Sequence, residues 1–167
     1  MGQMQSQERR GQGRGPGGGG ARTPAPNQPI PSKEDLKKII EQGDVVLLVE
    51  WADKVGQALA HEGLSTSQIR NVFGTVRQIQ LRWDKPGSDV EKQAFRDAVL
   101  LRPKLAYFAE RGKGGERGAG GMDILQRVLD PALELVGEGN QPRLDRFSHF
   151  AEFFEAIVAY HKRYGGK

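Results

Sequence analysis

The sequence has no cysteine, only three histidines and no long run of apolar residues. Without cysteine the chain has no disulfide, no thiolate metal ligand and no cysteine nucleophile. No apolar stretch approaches the roughly 18 residues that a membrane span needs, and the first residues are polar and glycine-rich, unlike a signal peptide. We therefore expect a soluble, cytoplasmic protein that does not act at a membrane.

Residues suited to a reaction centre are equally scarce. His61, His149 and His161 are scattered along the chain and lack partners at the spacing of a metal site. Glu152 and Glu155 lie three residues apart, but a single carboxylate pair is more typical of a solvated helix face than of acid–base chemistry. The serines lack a recognisable nucleophile context. We predict no enzyme activity, no bound metal and no cofactor.

Glycine, proline and arginine are concentrated at the start of the chain. Residues 1–31 contain eight glycines, five prolines and four arginines, with very few apolar side chains. Such a segment cannot bury enough apolar surface to offset the entropy lost on ordering. We predict a disordered tail over residues 1–31 and one folded domain over residues 32–167.

Charge is unevenly distributed over the rest of the sequence. The net charge is +4 for the whole chain, but +5 for residues 65–120 and −3 for residues 32–64. A basic region on a nearly neutral body favours a polyanionic partner, although a solvated basic surface is also common.

Apolar residues recur with helical spacing through the folded part. Ser32 and Asp44 are placed to cap two helices, and Ser65 with Gln68 has the sequence of a capping box. Pro103 is expected to interrupt the helical pattern, and no strand is predicted. The fold class is therefore all-α, a compact helical bundle of about five to six helices. The predicted helical segments cover residues 32–42, 45–61, 66–84, 88–101, 104–111, 122–136 and 143–164, with a glycine-rich loop over 112–121.

The predicted helix at 66–84 has two different faces. One face is apolar. The other face carries Arg70 and Arg77, two turns apart, with Gly74 between them. The missing side chain would let a bulky ligand approach the backbone between two guanidinium groups suited to phosphates, and Asn71 and Gln78 add neutral hydrogen-bonding groups. The alternative is an ordinary solvated face, or a glycine that packs against another helix. The apolar face is formed by Ile69, Val72, Phe73, Val76, Ile79 and Trp83.

A second basic element follows Pro103 in the sequence. Lys104 and Arg111 are also seven residues apart, and Tyr107 lies between them. If Leu105 and Phe108 face the core, the two cations and the tyrosine share the opposite side. The two basic elements would then line one groove for a chain of phosphates. The alternative is that Tyr107 packs inside and the cations are scattered.

Three segments carry a resemblance to a known family. They are Ser-Gln-Ile-Arg-Asn at 67–71, Arg-Pro-Lys-Leu-Ala-Tyr at 102–107 with Arg111 after it, and Phe-Phe-Glu-Ala-Ile-Val-Ala-Tyr-His-Lys at 153–162. In this order and spacing they resemble the Csm-type small helical subunit of type III-A CRISPR effector complexes. The resemblance covers roughly residues 32–164.

The resemblance implies a compact bundle present in several copies beside the subunits that carry crRNA. Such a subunit helps to hold target RNA paired with crRNA in antiviral defence, and cleavage belongs to other subunits. Its implied partners are target RNA, crRNA, the other Csm subunits and further copies of itself. The family motifs place Arg70, Lys104 and Arg111 at the RNA, whereas Arg77 is added from helical geometry alone.

Two other functions fit the same residues. A helical protein–protein adaptor would use the basic patch to meet an acidic partner. A DNA-binding regulator would place the helix at 66–84 in the major groove, which requires a helix–turn–helix and dimer symmetry.

Overall fold

The computed structural model describes residues 29–83, 88–112 and 118–167, so the tail predicted over residues 1–31 lies almost entirely outside the described residues. The predicted all-α bundle is confirmed. No helix in the described ranges is long and apolar enough to cross a membrane. In chain order the elements are α1 (Lys33–Ile40), α2 (Val45–His61), α3 (Thr66–Trp83), α4 (Ser88–Gly112), α5 (Ala119–Glu134), β1 (Gly137–Glu138), β2 (Gln141–Pro142) and α6 (Leu144–Arg163).

The predicted caps fix where the first three helices begin. The side chains of Ser32 and Asp44 each accept a hydrogen bond from the backbone N–H three residues later, at 3.1 and 3.0 Å. At the start of α3 the capping box is reciprocal. Ser65 Oγ accepts from the Gln68 N–H at 3.1 Å, and Gln68 Oε1 accepts from the Ser65 N–H at 3.0 Å. These bonds satisfy backbone donors that a helix start otherwise leaves without partners.

The helix α6 lies at the centre of the bundle and packs against α1, α2 and α3, while α4 packs against α3 and α5. Aromatic side chains fill the contact between α3 and α6. The ring of Trp83 stacks on that of Phe147 with centroids 4.6 Å apart, and Phe73 meets Phe154 edge-on at 5.3 Å. The interior is therefore a single core, as the apolar stripes of the sequence predict.

The predicted interruption at Pro103 is wrong, because α4 runs unbroken through this residue. A proline inside a helix leaves the carbonyl of the fourth preceding residue, here Val99, without its N–H partner. Pro103 lies on the exposed side of α4, and Val99 is 41% exposed. Water can therefore satisfy the carbonyl at this point, which makes the proline tolerable.

The predicted start of α5 at Met122 is also wrong, because the helix begins at Ala119. Its glycines indicated a loop from the sequence, but they serve packing instead. A Cβ atom built on Gly121 would lie 2.7 Å from Cβ of Leu64, so only glycine fits there. Of the glycine-rich loop predicted over 112–121, residues 113–117 lie outside the described part of the chain.

The antiparallel hairpin of β1 and β2 corrects the prediction that the chain has no strand. Each strand has only two residues, too few for an alternating pattern to appear. The turn between them is Gly139-Asn140, a dipeptide typical of two-residue hairpin loops, and the glycine has φ +59°. Glu138 ties the hairpin to the start of α6 through ion pairs with Arg143 at 2.9 Å and Arg146 at 2.5 Å.

The last residues of the chain hold the start of α3. His161 is buried, and its Nε2 lies 2.7 Å from the carbonyl oxygen of Leu64. Because a carbonyl only accepts, this ring nitrogen carries the proton. The backbone N–H of Thr66 donates to the Lys167 carbonyl at 2.5 Å, and its hydroxyl donates to the Gly166 carbonyl at 3.0 Å. The entry to α3 is thus tied to α6 and the residues that follow it.

Candidate nucleic-acid interface

The helices α3 and α4 pack against each other as an antiparallel pair, and the exposed strip where they meet is called the groove. Near the end of α3, Arg82 pairs with Asp97 in the first half of α4 at 2.8 Å. Near its start, Asn71 shares a cavity with Arg111 at the end of α4. The two basic elements that the sequence predicts in one groove therefore lie on neighbouring helices.

Gly74 lies at the middle of the exposed side of α3, and this line along the helix is called the crest. A Cβ atom built there would have nothing within 4 Å, so this glycine does not pack against another helix. At about 100° per residue, Arg70 and Arg77 lie on one side of the crest and Asn71 and Gln78 on the other. All four side chains are exposed. The backbone at the crest is therefore open to a ligand, with polar groups on both sides.

The two arginines of α3 lie on the flank away from the groove. They share that flank with Phe73, whose ring contacts Phe154 of α6. Arg77 also donates a hydrogen bond from Nη1 to Oε1 of Gln80 at 2.6 Å. The structure therefore does not bring Arg70 and Arg77 into the cavity beside Arg111, and only a ligand that crosses α3 at its crest would contact both flanks.

The second basic element has the orientation predicted from its spacing. Leu105 is fully buried and Phe108 is half-buried, whereas Lys104, Tyr107 and Arg111 are exposed. Tyr107 has 62% of its surface exposed, so the alternative in which it packs inside is wrong. By helical geometry Lys104 and Arg111 project from the same side of α4 as Asp97, which pairs with α3. The two cations therefore line the groove.

A cavity of about 150 Å³ lies where α3, the end of α4 and the start of α5 meet. From the sequence, Gln68 is predicted only as a cap and Met122 only as a helix start. Neither position carries a sequence signal for a cavity, because the cavity depends on how three helices meet. The described residues that line it are Gln68, Asn71, Val72, Phe108, Arg111, Gly112 and Met122.

The cations of this surface differ in how they are engaged. Arg70, Lys104 and Arg111 have no hydrogen-bond or ion-pair partner within the described ranges. By contrast, Arg102 donates two hydrogen bonds to Asp130, from Nε at 2.9 Å and from Nη2 at 3.2 Å. These bonds raise the pKa of Arg102 above its ordinary value. The first residue of the Arg-Pro-Lys segment therefore joins α4 to α5, whereas the lysine projects into solvent.

His149 and His161 each lie beside a backbone carbonyl group. No group of three or more histidine, cysteine or carboxylate side chains suited to a metal ion occurs in the part of the chain that is described. His149 Nδ1 lies 2.8 Å from the carbonyl oxygen of Ile40, and His161 bonds Leu64 as above. Both rings therefore connect α6 to other parts of the bundle, His149 to the end of α1 and His161 to the residues before α3.

Fold and candidate site together define a small helical-bundle protein whose polar chemistry lies on an open face of two antiparallel helices. The model of the family described as Csm2 Type III-A matches residues 42–167, and the chain belongs to this family. It is accordingly a structural small subunit of a type III-A CRISPR (Csm) complex and associates with other Csm subunits. The resemblance predicted from three segments is confirmed. No curated protein and no solved structure matches the sequence.

Proposed function

We propose that this chain is a non-catalytic RNA-binding subunit that helps to hold target RNA paired with crRNA in the Csm complex. The observation that carries the proposal is the open face of α3 and α4. On it Arg70, Lys104 and Arg111 are exposed and have no partner within the described ranges, and the Gly74 crest leaves the backbone accessible. Guanidinium and ammonium groups held in this way suit RNA phosphates.

The proposed contacts position RNA without reading its sequence. Arg70 and Arg77, like Lys104 and Arg111, are two helical turns or roughly 10 Å apart, a spacing that places charges along a strand. Asn71 and Gln78 supply further hydrogen bonds to sugar and phosphate oxygens. Sequence choice is left to pairing between guide and target, as in other RNA-guided systems.

The test is the salt dependence of RNA affinity for the full chain. Each phosphate contact to single-stranded RNA contributes about −0.7 to the slope of log affinity against log salt. Combining Arg70→Ala with Arg77→Ala, or Lys104→Ala with Arg111→Ala, should make this negative slope shallower by roughly 1.4.

A matched control removes the same charge elsewhere. Lys33→Ala combined with Lys38→Ala changes two exposed lysines on α1, and the slope should stay close to that of the wild type. If both double variants, Arg70→Ala with Arg77→Ala and Lys104→Ala with Arg111→Ala, keep the RNA affinity, the salt slope and the circular dichroism of the wild type, this surface is excluded as the RNA site.

The DNA-binding alternative has less structural support. Recognition helices contact base edges with their N-terminal residues. The first turn of α3 is instead occupied, since Thr66 bonds the backbone of Gly166 and Lys167. A preference for one duplex sequence over single-stranded RNA would nevertheless favour that alternative, and a protein complex that survives nuclease treatment without any RNA footprint on α3 would favour the adaptor.

A further inference from the structure

The cavity between α3, α4 and α5 has an apolar lining on one side. Val72 and Met122 are buried, and the ring of Phe108 is half-buried. All three line the cavity. A half-exposed aromatic ring beside aliphatic side chains is a surface on which a flat, apolar face can stack.

The remaining side chains of the cavity are polar and can donate hydrogen bonds. The side chains of Asn71 and Arg111 are exposed and have no partner within the described ranges. Gln68 uses its Oε1 to accept from the Ser65 N–H at 3.0 Å, which leaves its Nε2 group for a ligand. A ligand that stacks on Phe108 would therefore meet mainly donors at its edge, with a cation among them.

The size of the cavity restricts what can enter it. Its volume of about 150 Å³ is well below the roughly 300–1,000 Å³ of sites for drug-sized ligands. A single planar group with apolar faces and a polar edge fits both the volume and the lining. We propose that the cavity binds one unpaired nucleobase of the RNA, with carbonyl oxygens at its edge, as in uracil.

This inference rests on the proposed function, because the RNA backbone must first lie along α3 and α4. Arg111 belongs to both sites, so its guanidinium holds the phosphate next to the bound base. Lys104, two turns earlier on the same side of α4, continues the backbone path. The unpaired base would fix the position of the strand along the groove, which phosphate contacts alone leave free to slide.

The test compares two RNAs of equal length and charge, an oligouridine and the same oligomer with abasic sites in place of all bases. The full-length wild-type chain should bind the oligouridine about tenfold more tightly, with similar salt slopes for the two RNAs. Phe108→Leu keeps an apolar side chain but removes the ring, and should abolish most of this difference. Asn71→Ala, a change at an exposed position, should reduce it.

Tyr107→Ala is the matched control, since it removes the neighbouring exposed ring, which does not line the cavity. This variant should keep the difference between the two RNAs. Equal affinity of the wild type for both RNAs, with a normal salt slope, overturns the nucleobase site but leaves the proposed function intact. Loss of the difference in Tyr107→Ala, but not in Phe108→Leu or Asn71→Ala, also overturns the cavity site. Binding of neither RNA overturns the proposed function itself.

Discussion

Arg82 Nη1 lies 2.8 Å from Asp97 Oδ2, and this ion pair joins α3 to α4 on the side where the groove opens. Arg82 is the last arginine of α3, and its charge is paired with Asp97. It is therefore not one of the unpaired cations on the exposed face of α3 and α4. It also places a carboxylate on the side of α4 that carries Lys104 and Arg111. Asp97 therefore affects both the packing of the two helices and the charge of the groove.

The variant Asp97→Asn separates these two effects. The side chains of Arg82 and Asp97 are 47% and 27% exposed, so removing the pair should lower the free energy of unfolding by less than about 1 kcal/mol. Affinity for RNA should rise at low salt, because a negative charge is lost and Arg82 is released. Urea unfolding and an RNA titration measure the two quantities. A fall in affinity in the folded variant would contradict the proposed groove.

Gly74 is predicted to be a site where stability and binding respond in opposite directions. Gly74→Ala adds a methyl group that meets nothing within 4 Å, and should stabilise the protein by about 1 kcal/mol through helix propensity. Gly74→Leu should also fold, but its side chain would cover the crest and weaken RNA binding. Thermal unfolding and RNA affinity are the measurements. Full RNA affinity in Gly74→Leu would show that the ligand does not approach the crest.

Gly56 also lies inside a helix, but replacing it with alanine is expected to destabilise the protein, the opposite of the effect expected at Gly74. A Cβ atom built on Gly56 would lie 2.5 Å from Cβ of Tyr160 and 2.8 Å from the backbone nitrogen of His161. Gly56→Ala would therefore force α2 away from α6 and destabilise the protein by roughly 1–3 kcal/mol. Denaturant unfolding should rank Gly74→Ala above the wild type and Gly56→Ala below it. A stabilised Gly56→Ala would mean that the two helices do not approach this closely.

Tyr164 is predicted to ionise at a higher pH than a tyrosine without a hydrogen-bond acceptor beside it. Its hydroxyl donates a hydrogen bond to Asp53 Oδ1 at 2.5 Å, and this bond raises the pKa of Tyr164 above its ordinary value of 10.0. Its contribution to stability is complete below pH 10.0 and is lost as the pH rises through the higher folded-state pKa. Ultraviolet titration of the wild type and of Asp53→Ala, which removes the acceptor, should show one tyrosine that ionises at lower pH in the variant. Identical titration curves would exclude the bond.

Local sequence signals predicted most of the fold. The caps at Ser32, Asp44 and Ser65 were readable because each satisfies donors only three residues away. The buried face of α3 followed from helical spacing alone. The family is also readable from three segments, and its match over residues 42–167 confirms it.

The errors arose where a local signal was outweighed by tertiary surroundings. Pro103 is tolerated because it faces solvent, and position 121 is a glycine because Leu64 leaves no room there for a side chain, although the residue is helical. Similarly, the sequence predicted which residues of the candidate site are exposed, but not that α3 separates Arg70 and Arg77 from Arg111. That separation depends on which flank of α3 meets α6, and no spacing within one helix reveals it. The RNA-binding role of all these residues stays a prediction.

The hydrogen bonds from Thr66 to the carbonyl groups of residues 166 and 167 join positions about 100 residues apart in the chain. During synthesis, α3 and α4 leave the ribosome long before the segment that anchors the first turn of α3. Contacts between such distant residues form late in folding, because closing a long loop costs entropy before the new contacts stabilise it. The face we assign to RNA would therefore reach its final shape only after residues 166 and 167 have been synthesised and have docked on Thr66.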